Sequence, residues 1–272
     1  MVTTLVTRAV AGDELRARRA GAVTGRNVTA FRAGGAYWWL VISGMAEPLL
    51  YLFAIGWGVG ALVGDMPLPD GRTVSYLTFL APALLAAAAM NGAVAESTMN
   101  FFAKMKFAKL YDSVLNTPVT PVEIAFGELG WAMMRGSMYS GAFLVLMAVM
   151  GVTTPALALV AFPAALLVGF AFGAIGLALA TVMRTWQDFD YMGVVQFALF
   201  LFSGTFVPVS SYPVAMQVIV QLTPLYHGVE LVRGITLDML SWSLAWNVLY
   251  LVVVTLAGLA FAARRMRKLL RK

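Results

Sequence analysis

Six long apolar stretches dominate this chain of 272 residues and restrict the folds that it can adopt. The stretches lie near 38–60, 74–95, 124–150, 156–180, 189–207 and 243–263. Most of them approach or exceed the ~20 residues with which a helix crosses ~30 Å of hydrocarbon. Because 61% of the residues are hydrophobic and only 12% are charged, no sequence is left for a separate soluble domain. We therefore predict an all-α polytopic membrane protein, with six transmembrane helices in a single domain over residues 1–272.

The basic residues predict the orientation of these helices. With the N-terminus inside, all of the nineteen lysines and arginines except Arg72, Arg135 and Arg233 fall on one side of the membrane. Short loops rich in Lys and Arg stay in the cytoplasm, so both termini are predicted to be cytoplasmic, in the inner cell membrane. The same cations face anionic lipid headgroups, which accounts for the net charge of +6 without any binding of nucleic acid.

Three segments outside the spans have patterns of their own. Residues 1–36 mix Arg with Val, Leu and Ala, which predicts an amphipathic interface helix on the inner leaflet; a partly disordered basic tail is the alternative. The cytoplasmic loop 96–122 repeats apolar residues at helical spacing, which predicts a short helix parallel to the membrane. The outer region 208–240 has apolar pieces beginning at Pro213 and Pro224 that are too short to cross, so we expect re-entrant helices between spans 5 and 6.

Sequence signals also place the starts of two helices. Thr120 and Glu123 form a capping box around Pro121, which predicts that the third helix begins in the cytoplasm. Thr154, followed by Pro155, marks the start of the fourth helix in the same way. Three glycines then share one face of the fourth helix and predict close packing against a neighbour: Gly169, Gly173 and Gly176.

Residues suited to catalysis are scarce. The chain has no Cys and a single His, His227, which excludes disulfides, thiol chemistry and a multi-histidine metal site. It has no Gly-Lys pair, and a Walker A motif requires one, so this chain does not hydrolyse ATP alone. Asp188 and Asp190 beside Arg184 come nearest to a catalytic cluster, and a short solvated turn explains them more simply. We predict no enzyme activity, no metal and no cofactor in this chain.

Two charges lie inside the predicted spans. Glu47 and Arg135 are both roughly 13 Å from the inner boundary at ~1.5 Å of rise per residue. An unpaired ion at this depth costs at least ~2.5–3.5 kcal/mol, so we predict a Glu47–Arg135 pair, with Glu128 as a competing partner. This pair either only holds the bundle together or belongs to a substrate path, and the sequence leaves both open. Glu96 and Glu123 are interpreted as residues of the inner interface.

A set of short motifs covers nearly the whole chain. It includes Arg26-Asn27, Glu47-Pro48-Leu49-Leu50-Tyr51-Leu52-Phe53, Gly127-Glu128-Leu129, Phe202-Ser203-Gly204, Leu222-Thr223-Pro224-Leu225-Tyr226-His227 and Glu230-Leu231-Val232-Arg233. Together these motifs resemble the permeases of ABC-2 type exporters. The nodulation-factor and lipooligosaccharide exporter branch is the most similar, with the daunorubicin-resistance permeases as nearby relatives. Lys104-Met105-Lys106 departs from the family pattern.

The resemblance implies that the chain is the transport subunit of a larger complex. It implies a second permease subunit, with a homodimer favoured over a heterodimer, and two ATPase subunits that bind ATP and Mg on the cytoplasmic side. It assigns ATPase coupling to residues of the loop 96–122, namely Phe101, Lys104, Lys106, Phe107, Lys109, Leu110 and Tyr111. It assigns an outer gate to residues of the region 208–240, namely Pro208, Pro213, Pro224, His227, Glu230 and Arg233. An ordinary helix-surface pair is the alternative for Glu230 and Arg233.

The predicted function is export of an amphipathic or lipid-linked substrate, such as a glycolipid, a lipooligosaccharide or a hydrophobic drug, across the cytoplasmic membrane. Tyr51, Trp57 and Trp131 are candidate aromatic contacts for the substrate, although packing against lipid is the commoner use of membrane aromatics. The main alternative is an ion-coupled secondary transporter in which Glu47 carries protons. Such transporters normally contain an internal repeat, and none is visible here. A lipid-modifying enzyme is disfavoured by the scarcity of catalytic residues.

Overall fold

The structure is a computed structural model that describes residues 17–33, 46 and 48–270. The helices in these residues are α1 (Ala17–Ala33), α2 (Pro48–Val63), α3 (Tyr76–Phe107), α4 (Leu110–Val114), α5 (Pro121–Val149), α6 (Pro155–Ala180), α7 (Asp188–Phe202), α8 (Val214–Gln221), α9 (Pro224–Thr236) and α10 (Trp242–Leu270). A small antiparallel hairpin joins α2 to α3, with strand β1 (Asp65–Pro67) paired to β2 (Thr73–Ser75). We call this end of the bundle the hairpin end, and the opposite end, where α3 stops and α5 begins, the α4 end. The all-α class is confirmed.

Four of the described helices are long and apolar enough to cross a membrane: α3, α5, α6 and α10. They match the second, third, fourth and sixth predicted spans. Helix α2 is shorter, and most of the residues just before it, 34–45 and 47, lie outside the described part of the chain. Helix α7 has 15 residues, fewer than the ~20 that a perpendicular span needs. The count of six spans therefore stays a prediction.

The predicted helix starts are confirmed at α5 and α6. The Thr120 hydroxyl accepts a hydrogen bond of 3.3 Å from the N–H of Glu123, whose carboxylate accepts one of 2.8 Å from the N–H of Thr120. This capping box satisfies two backbone donors that a helix start leaves unpaired. At α6, the Thr154 hydroxyl accepts from the N–H of Leu157 at 3.3 Å. Each cap of this kind stabilises its helix by about 1 kcal/mol.

Helix α3 ends later than the sequence predicts. The apolar run stops at residue 95, whereas the helix continues to Phe107, through π-helical turns at Glu96–Asn100 and Ala103–Phe107. The helix can extend through polar residues because the hydroxyls of Ser97 and Thr98 donate hydrogen bonds back to its own carbonyl groups, at 2.7 and 2.5 Å. Polarity therefore ends the predicted span without ending the helix.

Helix α6 lies at the centre of the bundle, packed against α3, α5, α9 and α10. Its predicted glycine face is the contact surface. A Cβ atom added at Gly173 would lie 2.7 Å from Leu129 Cδ1 of α5, and one added at Gly176 would clash with Ser97 Oγ of α3. These two glycines let three helices approach closely, as small residues do in membrane bundles.

Candidate functional site

A cavity of about 290 Å³ lies between α2, α3, α5 and α7. Polar side chains of α3 and α5 line one part of it, namely Asn91, Glu96, Arg135 and Tyr139. Residues of α2 and α7 line another part, namely Pro48, Tyr51 and Phe200. Leu84 and small residues of α3 and α5 complete the lining. Polar and apolar surfaces thus face a single space in the bundle.

Arg135 is held inside this cavity by a set of neutralising contacts. Its guanidinium forms an ion pair with the Glu96 carboxylate, and its Nε donates a hydrogen bond of 3.0 Å to the Tyr139 hydroxyl. The side chains of Arg135 and Glu96 are only 17% and 7% exposed. The Phe31 ring centroid lies 5.7 Å from the guanidinium carbon, within cation–π range. Burial of charge requires partners of this kind, and the cluster as a whole is neutral.

The structure gives Arg135 a partner that the sequence does not predict, Glu96. Glu47 lies outside the described residues, so the predicted Glu47–Arg135 pair stays a prediction, and the competing partner Glu128 bonds to Lys104 instead. Sequence reasoning missed Glu96 because the apolar run stops just before it. Since α3 continues to Phe107, Glu96 lies roughly 17 Å along α3 from that end, and Arg135 roughly 21 Å along α5 from its start. These similar depths explain the pair.

A second polar contact extends the cavity towards α7. The Gln196 side-chain amide donates a hydrogen bond of 3.3 Å to Asn91 Oδ1. Tyr51 lies beside this pair, and its ring centroid is 5.2 Å from that of Phe200. The polar lining of the cavity thus continues from Glu96 to α7 through Asn91, Gln196 and Tyr51. The Phe200 ring lines the same space and adds an apolar surface.

The three predicted aromatic contacts have different positions. Tyr51 lines the cavity. Trp57 is 61% exposed on the outside of α2, with its ring 5.1 Å from that of Phe53. Trp131 is only 7% exposed and packs edge-on against Phe31, between α1 and α5. Of the three, Tyr51 alone is among the residues that line the cavity.

Arg233 of α9 is buried at the hairpin end and fixes several segments there. Its Nη2 donates to the Gly204 carbonyl at 2.8 Å, its Nε to the Phe79 carbonyl at 3.3 Å, and its Nη1 to Glu230 at 3.2 Å. The guanidinium carbon also lies 3.9 Å from the centroid of the Phe79 ring. This geometry excludes an ordinary surface pair, because Arg233 is only 4% exposed.

The other predicted gate residues lie in the same region of the chain, 208–240, and have contacts of their own. His227 is buried, with Nδ1 2.8 Å from Asn247 Oδ1 and its ring stacked on Tyr250 at 3.9 Å. The three prolines stand at breaks in the chain: Pro208 before a short 3-10 turn, Pro213 before α8, and Pro224 at the first position of α9. Two short helices therefore occur where re-entrant helices are predicted, and their role as a gate stays a prediction.

Arg72 has a structural contact that its place in the loop does not suggest. It pairs with Asp70 at 2.7 Å and donates a hydrogen bond of 2.8 Å to the Leu237 carbonyl, at the end of α9. Hydrogen bonds from the backbone and side chain of Arg72 lower the pKa of Asp70. Arg72 therefore fastens the hairpin to α9.

Three of the seven predicted coupling residues point into the protein. Phe101 and Tyr111 are 0% and 1% exposed, with ring centroids 5.3 Å apart. Lys104 Nζ lies 2.6 Å from Glu128 Oε2 and 3.1 Å from Asn27 Oδ1. The family resemblance assigns these three residues to ATPase coupling; in this structure their side chains face neighbouring helices, and their role in coupling stays a prediction. Their apolar spacing arises from packing against the chain itself.

The remaining predicted coupling residues form a surface at the α4 end. Lys106, Phe107 and Lys109 are exposed, and Leu110 is half-buried. The Phe107 ring stacks on Trp186, from the connection between α6 and α7, with centroids 5.2 Å apart. Sequence reasoning missed Trp186, since its own segment carries no periodic pattern. We call Lys106, Phe107, Lys109 and Trp186 the α4-end surface.

Asp188 has the structural role that the sequence suggests. Its carboxylate accepts hydrogen bonds from the N–H groups of Arg184 and Thr185, at 2.7 and 3.1 Å. Those bonds lower the pKa of Asp188. The described residues contain no cluster of three or more His, Asp or Glu side chains that could hold a metal ion.

Comparison with known proteins identifies the family. A sequence model described as ABC-2 type transporter matches residues 22–237. The chain belongs to the ABC-2 type transporter family. The matched range includes the cavity helices α2, α3, α5 and α7 and the Arg233 contacts.

Several curated relatives agree with this assignment. The chain is 32% identical to "Nodulation protein J" of Rhizobium meliloti (strain 1021) over 198 residues, 72% of this chain and 74% of the relative. It is 30% identical to "Nodulation protein J" of Rhizobium leguminosarum bv. viciae over 233 residues, 84% of this chain and 88% of the relative. The same-named protein of Sinorhizobium fredii (strain NBRC 101917 / NGR234) is 33% identical over 199 residues. The chain is thus an ABC-2 permease in a membrane, and its family implies an ATP-binding partner subunit.

Proposed function

We propose that this permease exports an amphipathic or lipid-linked substrate, such as a glycolipid, a lipooligosaccharide or a hydrophobic drug, through the cavity beside Arg135. The cavity itself is the observation that supports this most. A polar headgroup would contact Asn91, Tyr139 and the neutral Glu96–Arg135 pair, and an apolar tail would lie against the side of Phe200. A substrate with both parts satisfies both kinds of surface, since a buried polar group needs hydrogen-bond partners and an apolar one does not.

A second permease subunit would complete the path. The cavity is partly open, and the helices beside it, α2 and α7, carry exposed apolar side chains, among them Leu50, Tyr191 and Val194 at 69%, 75% and 68% exposure. A second copy packed against α2 and α7 would close the open side. A homodimer is the simplest arrangement, because closed twofold symmetry is the commonest in oligomers, and a different permease chain could take the same place.

The α4 end would face the cytoplasm and receive the ATPase. The α4-end surface combines two cations with two stacked aromatic rings, contributed by the end of α3 with the residues just after it and by the connection between α6 and α7. Aromatic anchors of this kind provide much of the binding energy at protein interfaces. ATP and Mg would bind the partner ATPase, and closure of the ATPase pair would move the α4 end. Six spans, with both termini in the cytoplasm, agree with this arrangement.

Transport in vesicles tests the proposal. The chain and a Walker A ATPase that copurifies with it are reconstituted together, and movement of a fluorescent glycolipid is followed with and without ATP. Replacing Arg135 by Gln is expected to lower transport at least about tenfold, because the Glu96 carboxylate would be left buried in the cavity wall without its partner. Reversal of both charges, Arg135→Glu with Glu96→Arg, is expected to restore part of the loss.

The control variant is Arg264→Gln, since Arg264 is exposed on α10 and lies outside the cavity lining. Equal transport by wild type and Arg135→Gln would show that the cavity is not the path. Transport driven by a pH gradient without ATP would instead favour an ion-coupled secondary transporter.

A further inference from the structure

Two ion pairs join the same two helices, α3 and α5, at successive levels. Glu96 of α3 pairs with Arg135 of α5 at the cavity. Towards the α4 end, Lys104 of α3 pairs with Glu128 of α5 at 2.6 Å. From the cavity towards the α4 end, the paired residues go from 96 to 104 on α3 and from 135 to 128 on α5. The two helices are therefore antiparallel. On each helix the acidic and the basic residue are about two turns apart.

The alternating signs of these charges select one register of the two helices. A slide by about two turns would bring Glu96 beside Glu128, or Lys104 beside Arg135. Either arrangement juxtaposes like charges where the side chains are largely buried, since Glu128 and Glu96 are 3% and 7% exposed. Like charges at a contact disfavour the wrong arrangement strongly. The two pairs therefore lock α3 to α5 along their length.

Helix α1 contacts the Lys104–Glu128 pair, which is the pair nearer the α4 end. Asn27 Oδ1 accepts a hydrogen bond of 3.1 Å from Lys104 Nζ. One turn earlier, the Thr24 hydroxyl donates a hydrogen bond of 2.8 Å to the Gly127 carbonyl of α5. A Cβ atom added at Gly127 would lie 2.7 Å from the Ala20 carbonyl oxygen, so α1 and α5 are in close backbone contact. Movement of Lys104 would thus reach α1 as well as α5.

The next residues along the chain connect this cluster to the α4 end. Tyr111 of α4 is buried beside Phe101, near Glu128, and burial together with the Glu128 charge raises the pKa of Tyr111. Its phenol therefore remains a hydrogen-bond donor. Its hydroxyl and Glu128 Oε1 are both buried without a hydrogen-bond partner in the described structure. The Tyr111 phenol and the Glu128 carboxylate lie close enough to influence each other, so α4 is in contact with this cluster.

We propose that Lys104 is a positioning residue for coupling: through Glu128 and Asn27 it makes α3, α5 and α1 move as one body when the ATPase displaces the α4 end. The proposal rests on the proposed function. It gives the coupling role predicted for Lys104 an internal basis, and Lys104 belongs to the segment that departs from the family pattern. Because Glu96 and Arg135 lie on the same two helices and line the cavity, displacement of the α4 end would then move these two residues as well.

The test measures ATP hydrolysis and lipid transport in the same vesicles, which hold the permease and its ATPase. The variant Lys104→Met is expected to keep ATP hydrolysis within about twofold of wild type and to lower transport per ATP at least about fivefold. The variant Lys104→Arg, and the reversed pair Lys104→Glu with Glu128→Lys, are expected to restore the ratio. Lys268→Met, an equivalent change at an exposed position of α10, serves as control.

A reversible cross-link compares the joined and the separated state in one folded protein, so differences in folding between variants cannot explain the result. The chain has no Cys, so Lys104→Cys with Glu128→Cys can be joined by a short bifunctional methanethiosulfonate and released with reductant. Transport per ATP is expected to be near wild type when joined and to fall when released, in one and the same protein. Each single Cys variant, treated in the same way, controls for modification alone.

The outcomes separate the two proposals. If the wild-type vesicles show no ATP-dependent transport, the proposed function fails and this inference fails with it. If wild type transports but Lys104→Met keeps the wild-type ratio, or the cross-link lowers the ratio, the inference alone is overturned. In that case coupling does not depend on the contacts of Lys104.

Discussion

At the scale of single residues, Arg233 shows how a buried cation can hold a membrane protein together. Its planar guanidinium reaches two carbonyl groups and one carboxylate in different directions, at Gly204, Phe79 and Glu230. Lysine could not replace these contacts, because its ammonium is a compact charge without the fixed fork of donors. The side chain also covers the Phe79 ring. Arg233 therefore joins α9, the start of α3 and the chain after α7.

The substitution Arg233→Lys is expected to lower the free energy of unfolding by about 2 kcal/mol or more, since a hydrogen bond to a charged group contributes ~1.5–3 kcal/mol. Thermal unfolding in detergent measures the change. Arg264→Lys is the matched control: Arg264 is exposed on α10, so the effect of its replacement is expected to stay below about 1 kcal/mol. Equal effects of the two substitutions would contradict a fixing role for Arg233.

At the scale of elements, the approach of α3 to α6 depends on Gly176. The Ser97 hydroxyl opposite is not free to turn away, because it donates a hydrogen bond of 2.7 Å to the Ala93 carbonyl. The variant Gly176→Ala would push the two helices apart and is expected to destabilise the fold by about 1–3 kcal/mol. Gly193→Ala on α7 has no atom within 4 Å of the new methyl group and is expected to stabilise by about 0.4–1 kcal/mol. Thermal unfolding compares them, and a shift of the same sign in both would refute the close approach.

At the scale of the whole molecule, the sequence predicts contacts between neighbouring residues, such as helix caps, better than contacts between side chains that are distant in sequence. The Thr120 and Thr154 caps are predicted because all their atoms lie within a few residues. The Glu96–Arg135 pair is not, because it depends on how far α3 continues beyond its apolar run. Periodicity likewise identifies the apolar side of the segment with Tyr111, but an apolar face is the same in sequence whether it meets lipid, a partner or the chain itself.

The proposed complex with the ATPase leads to a prediction that also tests which end of the permease faces the cytoplasm. Phe107 and Trp186 are stacked and exposed at the α4 end, so an ATPase bound there would cover both rings. Phe107→Asp or Trp186→Asp is expected to weaken copurification with the ATPase at least about tenfold, because an aromatic hot spot contributes ~2 kcal/mol or more. Because the two rings also stack on each other, the unfolding temperature of each variant is measured as well, and loss of the ATPase from a folded variant is the result that supports the prediction.

Trp242 provides the control, because it is 91% exposed at the hairpin end and would lie on the opposite side of the membrane. Trp242→Asp is expected to leave ATPase binding unchanged, although it introduces the same charge in place of the same kind of ring. Loss of the ATPase in Trp242→Asp, with retention in both α4-end variants, would place the ATPase at the hairpin end. The termini would then lie outside the cytoplasm, which the many Arg and Lys residues around the α4 end argue against.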